Sequence, residues 1–174
     1  MAQNRKVVLI VAHEGFQQIE YHVPKSVLKQ AGFSVLTASN KPGTATAKDH
    51  STAPVDMLIK DINPADYEAI VFIGGPGTLD NLNSIDSYAL LNQTVRLEKV
   101  VGAICIATRI LAHAGILTDR NATGWDGDHE LGKIYQDLGV HYIMKDVVVD
   151  GHIVTATGPE VAQDFAQELV AVLG

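Results

Sequence analysis

Short apolar runs, set between stretches of helical periodicity, limit what this chain can fold into. "KVVLIVA" (Lys6 to Ala12) is β-rich and apolar on both faces, as a buried parallel strand should be. "FSVLTAS" (Phe33 to Ser39), Ala69 to Ile73 and "VVGAI" read as further strands. Helical patterns separate them. "IEYHVPKSVLKQAG" brings Val23, Val27, Leu28 and Ala31 together; Pro24 suits its first turn, and Gly32 lies just past its end. Asp86 to Leu97 predicts a helix with Tyr88, Leu91 and Val95 inward, and Ala107 to Ala114 another. "DHELGKIYQDLG" sets Leu131, Ile134, Tyr135 and Leu138 on one face, and Glu160 to Leu173 forms the last helix, with Pro159 at its entry. This rhythm implies an α/β protein: a mostly parallel sheet with helices on both faces.

The remaining segments are connections and a hairpin. "NKPGTATAKDHSTAPVD" reads as a polar, turn-rich link, and "VDMLIK" as a short edge strand. "HYIMKDVVVDGHIVTATG" reads as strands around Asp150-Gly151, a dipeptide suited to a type I′ turn. With no repeat or linker, the 174 residues are expected to form one domain, residues 1–174. A chain of this length buries roughly 70% of its unfolded surface and needs no disulfide or metal to hold a core.

Charge and cysteine count narrow the function. Thirteen Lys and Arg against 20 Asp and Glu give a formal net charge of -7, which disfavours nucleic acid and anionic membranes as partners. The one cysteine excludes an internal disulfide and points to a reducing compartment. The first apolar run ends at His13 and Glu14 without a cleavage pattern, and no run reaches the roughly 20 residues of a membrane span. A cytoplasmic protein is expected.

That cysteine, Cys105, lies where "VVGAI" meets the next helix. By residue type, a free cysteine is more often a small core residue. By position, it sits near unpaired helix N–H groups, which favour a thiolate, so its pKa is expected to fall. The same N–H groups, Ile106 included, can hold an oxyanion, as in a nucleophile elbow. "IGGPGT" (Ile73 to Thr78) also follows a strand; it is either an ordinary turn or a donor loop facing the thiol, with Gly74 beside it and the Gly75 N–H as donor. It is neither a phosphate-binding loop nor a dinucleotide fingerprint. Glu20, in "GFQQIEYH", is either a solvated carboxylate near a helix start or a proton carrier beside the thiol.

Other candidates are weaker. His13 ends the first strand and could line the same pocket. Trp125 and Asp126, in "NATGWDGDHE", could wall it, with His129 a few residues on; Asp126 and Asp128 are more often solvated loop charges. His22, His113, His141 and His152 form no pair at zinc spacing, "HEGFQ" is not a His-Glu-x-x-His motif, and "DGDHELG" misses the calcium-loop glycine. No metal and no cofactor is expected.

Taken in order, "GFQQIE", "FIGGPG" and "AICIATRILAHAGIL", with "VVVDGHIVTATGPE" near the end, resemble the ThiJ/PfpI superfamily over nearly the whole chain. The resemblance implies a flavodoxin-like three-layer sandwich, usually a homodimer, with a nucleophile-elbow cysteine and a class I glutamine amidotransferase-like layout. By position, Cys105 matches the nucleophile, Glu20 the partner acid, and Gly75 and Ile106 the backbone donors. The resemblance implies glyoxalase, deglycase, peptidase, chaperone or redox-sensing roles. Protease-like members carry a histidine directly after the cysteine, where this chain has Ile106. Isocyanide hydratase-like members have an aspartate as the partner acid and a threonine after the cysteine, and this chain has neither. The leading expectation is a cofactor-free cysteine enzyme acting on a small carbonyl substrate through a hemithioacetal at Cys105. The alternatives are a redox sensor using Cys105 oxidation, a PfpI-like amidase, and a chaperone.

Overall fold

The computed structural model describes residues 4–174 and is built around a seven-stranded sheet. Along the chain come β1 (Lys6–Ile10), β2 (Glu14–Phe16), α1 (Gln18–Gln30), β3 (Ser34–Ser39), β4 (Thr44–Ala47), β5 (Thr52–Pro54), β6 (Met57–Leu58) and β7 (Ala69–Phe72). Next are α2 (Thr78–Leu82), α3 (Ile85–Arg96), β8 (Val100–Ile104), α4 (Thr108–His113), β9 (Asn121–Ala122) and α5 (Leu131–Asp137). Last come β10 (His141–Tyr142), β11 (Val147–Asp150), β12 (Ile153–Ala156) and α6 (Ala162–Leu173). The large sheet runs β11-β12-β8-β7-β1-β3-β6, parallel throughout except for β11, which is antiparallel to β12.

The five central parallel strands, β3-β1-β7-β8-β12, have the flavodoxin-like order 2-1-3-4-5. The chain leaves β1 toward β3 and later turns back past β1 to β7 and β8. Right-handed crossovers in these opposite directions put the helices on opposite faces. Helices α1 and α6 pack together on one face, and α3 and α4 on the other. With both faces covered, Val7 to Ile10 and Ala69 to Phe72 are wholly buried. Gly102 lets α6 approach β8: a Cβ there would lie 2.9 Å from Leu169 Cδ2 and 3.2 Å from the Phe165 ring.

Three local expectations need correction. Helix α1 begins at Gln18, so Pro24 sits inside it and not in its first turn. Gln17 starts the helix, its side chain accepting from the Ile19 N–H at 3.0 Å. Proline removes the N–H that would bond the Glu20 carbonyl; the helix continues because Glu20, Tyr21, Pro24 and Leu28 are buried along one face. The polar link after β3 is not structureless: its β4 and β5 join β2 in a second, three-stranded sheet, although alternating Thr and Ala give little strand signal. In the final hairpin Asp150 pairs with Ile153, so Gly151 and His152 form the turn. Only Gly151 of these has positive φ, which fits type II′ instead of type I′. The expected edge strand is present as β6.

Candidate active site

Strands β1, β7 and β8 lie side by side, and the loop after each carries one part of the site. The chain beyond β1 delivers Glu20, that beyond β7 delivers Gly74 and Gly75, and that beyond β8 delivers Cys105. In an open α/β sheet this is the crevice at the carboxyl ends of the strands, next to the point where the strand order reverses. Residues 54 and 31 positions apart in sequence meet because their strands are neighbours.

Cys105 forms the sharp bend itself. Ile104 is still extended, Cys105 has φ +62°, and a 3-10 turn over Cys105–Ala107 leads into α4. A left-handed conformation is unfavourable for any residue with a Cβ. Here it is held from two sides: the Cys105 carbonyl accepts from Thr108 Oγ1 at 3.0 Å and from the Trp125 N–H at 3.3 Å. The Ile106 N–H lies close enough to favour the charged form of the sulfur.

Glu20 has no exposed surface. Its Oε2 accepts from the Gly74 N–H at 2.9 Å, and the Gly74 carbonyl accepts from the Gln17 N–H at 2.8 Å, so the loops after β1 and β7 are joined. Oε1 is buried without a hydrogen-bond partner, and the carboxyl lies against the Cys105 thiol. Gly75, at φ +138°, has its Cα packed on the backbone of Gly15, Phe16 and Gln17, where a Cβ would not fit. Among the described residues its N–H donates to no main-chain carbonyl, which leaves it free for a ligand.

Burial dominates the electrostatics. It pushes the Glu20 carboxyl up to about 7, against the smaller opposing effects of the thiol and the Gly74 N–H. It also pushes the Cys105 thiol up, reinforced by the charge of Glu20; the Ile106 N–H only partly opposes this. The expectation of a lowered thiol pKa is therefore overturned. One short turn's N–H groups do not offset loss of water together with an adjoining carboxylate. Burial side by side thus favours the protonated form of both groups.

A cavity of about 380 Å³ opens over the thiol. Of the residues singled out from the sequence, Glu20, Gly75, Cys105, Ile106 and Trp125 line it. Gly74 lies behind this wall, holding Glu20. His13 and Asp126 do not line it. His13 is turned away, its N–H bonded to Asn40 Oδ1 and its Nε2 3.0 Å from the Pro42 carbonyl. Asp126 accepts from the Leu131 N–H at 2.9 Å and so caps α5. His129 is exposed and outside the cavity. Sequence reasoning missed Gln17, Lys48, Pro76, Pro159 and Glu160 as lining residues. Pro159 and Glu160 follow β12, so the rule that placed Cys105 would have found them. Lys48 follows β4, whose strand character was hidden. Among the described residues no three His, Cys, Asp or Glu side chains cluster as metal ligands, and no helix is long and apolar enough to cross a membrane.

The chain is similar over nearly its whole length to known proteins. An uncharacterized protein of Methanocaldococcus jannaschii is 33% identical over 98% of this chain and 83% of its own length. A deglycase of Pyrococcus abyssi is 31% identical over 95% of this chain and 98% of its own. The crystal structure of a ThiJ/PfpI domain protein from Brachyspira murdochii superposes with a TM-score of 0.92 at 28% identity, covering 99% of this chain and 98% of that one. The DJ-1/PfpI family pattern matches residues 5–172, and the chain belongs to that family.

Proposed function

We propose that the protein is a cofactor-free cysteine enzyme that converts small 2-oxoaldehydes and related carbonyl adducts. The observation that carries this reading is the meeting of the Cys105 thiol, the Glu20 carboxyl and the free Gly75 N–H in one cavity. The deglycase name of the Pyrococcus abyssi relative supports carbonyl-adduct chemistry of this kind.

The proton arrangement dictates the first step. A neutral thiol is a poor nucleophile, so its proton passes to the Glu20 carboxylate as the sulfur attacks the aldehyde carbon. A C–S bond forms and the carbonyl π pair moves to oxygen, where the N–H groups of Gly75 and Ile106 receive the charge. Glu20 returns the proton, giving a hemithioacetal. Glu20 then takes the hydrogen from C1, the electron pair forms an enediol, and a proton is delivered to C2. The product is a thioester of a 2-hydroxy acid, which water cleaves to regenerate the thiol. The net change adds one water: C1 is oxidised and C2 reduced, so no external oxidant or reductant enters. With Ile106 beside the cysteine, Glu20 is the lining carboxyl that lies against the sulfur, and Glu160, a second lining carboxyl, acts on the pair through its charge.

Lactate formation from methylglyoxal tests the reading. Wild-type protein is expected to form it, and Cys105→Ser and Glu20→Gln to lose at least about 100-fold, the scale of a general base. Wild-type output no higher than that of the variants rejects the chemistry. The redox alternative would draw on the same proton transfer from the thiol to Glu20, and mass spectrometry of Cys105 after mild peroxide treatment separates it from aldehyde turnover.

A further inference from the structure

Arg109 is a charged residue in α4 that is only 5% exposed. Its guanidinium grips Asp128 through two bonds, Nη1 to Oδ2 at 3.0 Å and Nη2 to Oδ1 at 2.7 Å. Nη2 also reaches the Trp125 carbonyl at 3.4 Å, and Cζ stands 5.6 Å from the centre of the indole ring. The indole also packs against Gly127, where a Cβ would come within 2.5 Å of Trp125 Cζ2. The Trp125 main-chain N–H donates to the Cys105 carbonyl. Thus the guanidinium and Gly127 flank the indole ring, while the elbow and the guanidinium hold the main chain that carries it, on the wall of the thiol cavity. A buried arginine with a bidentate partner is a costly way to hold an exposed loop unless the ring's position matters.

The cavity's size and walls say what the ring could meet. At about 380 Å³ it holds far more than a three-carbon aldehyde fills. Ile106, Pro76 and Pro159 add apolar surface to the same cavity. We infer that Trp125, held by Arg109 and Asp128 as positioning residues, selects aromatic over methyl substituents among ligands of the Cys105 cavity. For the reaction proposed above, on which the substrate statement rests, that means aryl 2-oxoaldehydes over methylglyoxal. An offset or edge-on ring contact with the indole supplies the preference.

Two readouts separate this inference from the proposed reaction. The first needs no turnover: the rates of Cys105 alkylation by iodoacetanilide and by iodoacetamide, with glutathione as the unselective reference. The wild-type rate ratio is expected to exceed that of glutathione by about five- to tenfold, the scale of one aromatic pair. Trp125→Phe should keep most of the preference, and Trp125→Ala should lose it. Arg109→Lys, which cannot make the fork, should lose most of it and raise acrylamide quenching of Trp125, the single tryptophan in the chain. The second readout is kcat/KM for phenylglyoxal against methylglyoxal, whose ratio should follow the same order. A wild-type alkylation ratio equal to that of glutathione, or unchanged in Trp125→Ala, overturns the inference. If Arg109→Lys does not fold, the two Trp125 variants decide. Selective alkylation without turnover of either aldehyde upholds the aromatic wall and rejects the reaction.

Discussion

The Gly74 N–H donates to Glu20 Oε2 across 2.9 Å, and a Cβ on Gly74 would stand 2.6 Å from that oxygen and 2.7 Å from Cβ of Cys105. Glycine, acid and thiol share a space that cannot take one more methyl group. Gly74→Ala is expected to push the carboxyl and the thiol apart. Because misplacement by about 1 Å can cost ~100-fold in rate, methylglyoxal turnover should fall by that order. Stability should fall by about 1–3 kcal/mol, the usual cost of overpacking. Turnover and urea unfolding of the same preparation check this. Wild-type turnover in a stably folded Gly74→Ala protein would show that the contact does not set the geometry.

The activity should follow the ionisation of Glu20. The sulfur needs a base to take its proton, and only ionised Glu20 serves. With the carboxyl pushed up to about 7, kcat/KM should rise as pH increases through that value and then level. Glu20→Gln should leave a small residual rate without this rise. A wild-type profile that is flat between pH 6 and pH 8 contradicts a base with this pKa.

The same carboxyl should make the fold less stable as pH rises. Its folded pKa lies above the unfolded value near 4.5, so between about 4.5 and 7 the folded state binds more protons than the unfolded state. Stability from this group is therefore fully present at low pH and declines across that window. A rise from 4.5 to about 7 corresponds to about 3 kcal/mol at most. Other carboxylates act in the opposite sense: Arg109 holds Asp128 below its ordinary value. The difference between wild type and Glu20→Gln isolates the effect. Unfolding free energies at pH 5 and pH 8 should converge in the variant relative to wild type.

The strands and the elbow were legible because buried parallel strands leave unbroken apolar runs, and Lys6 to Ala12, Ala69 to Ile73 and "VVGAI" each gave one. The position of Cys105 at a strand-to-helix bend followed from that pattern. The thiol's upward shift did not, because it depends on how much water the fold removes and on an acid 85 positions earlier in the chain. Pro24 hid the start of α1, since a proline suits a first turn better than a second. Lys48 was lost with β4 in a Thr-, Ala- and Gly-containing stretch whose pairing is a tertiary event. Arg109 has the sequence signature of any charged helix residue; only the fold shows that it is buried, with Asp128 of the exposed loop as its partner.

The backbone at Cys105 provides a last test, one that does not involve the sulfur's chemistry. At φ +62° any residue with a Cβ is strained, by about 1–2 kcal/mol, whereas glycine is not. Glycine also gives the unfolded chain more freedom, which offsets about 0.5–1 kcal/mol of that gain. Cys105→Ala and Cys105→Gly both remove the thiol and the charge coupling to Glu20, so their difference reports the backbone. Cys105→Gly should be the more stable of the two by up to about 1 kcal/mol in urea unfolding. The bonds from Thr108 and the Trp125 N–H to the Cys105 carbonyl are what hold the unfavourable angle in the native chain. Removing one of them with Thr108→Val should therefore narrow the gap between the glycine and alanine variants. A Cys105→Ala protein more stable than Cys105→Gly would mean that the elbow imposes no strain.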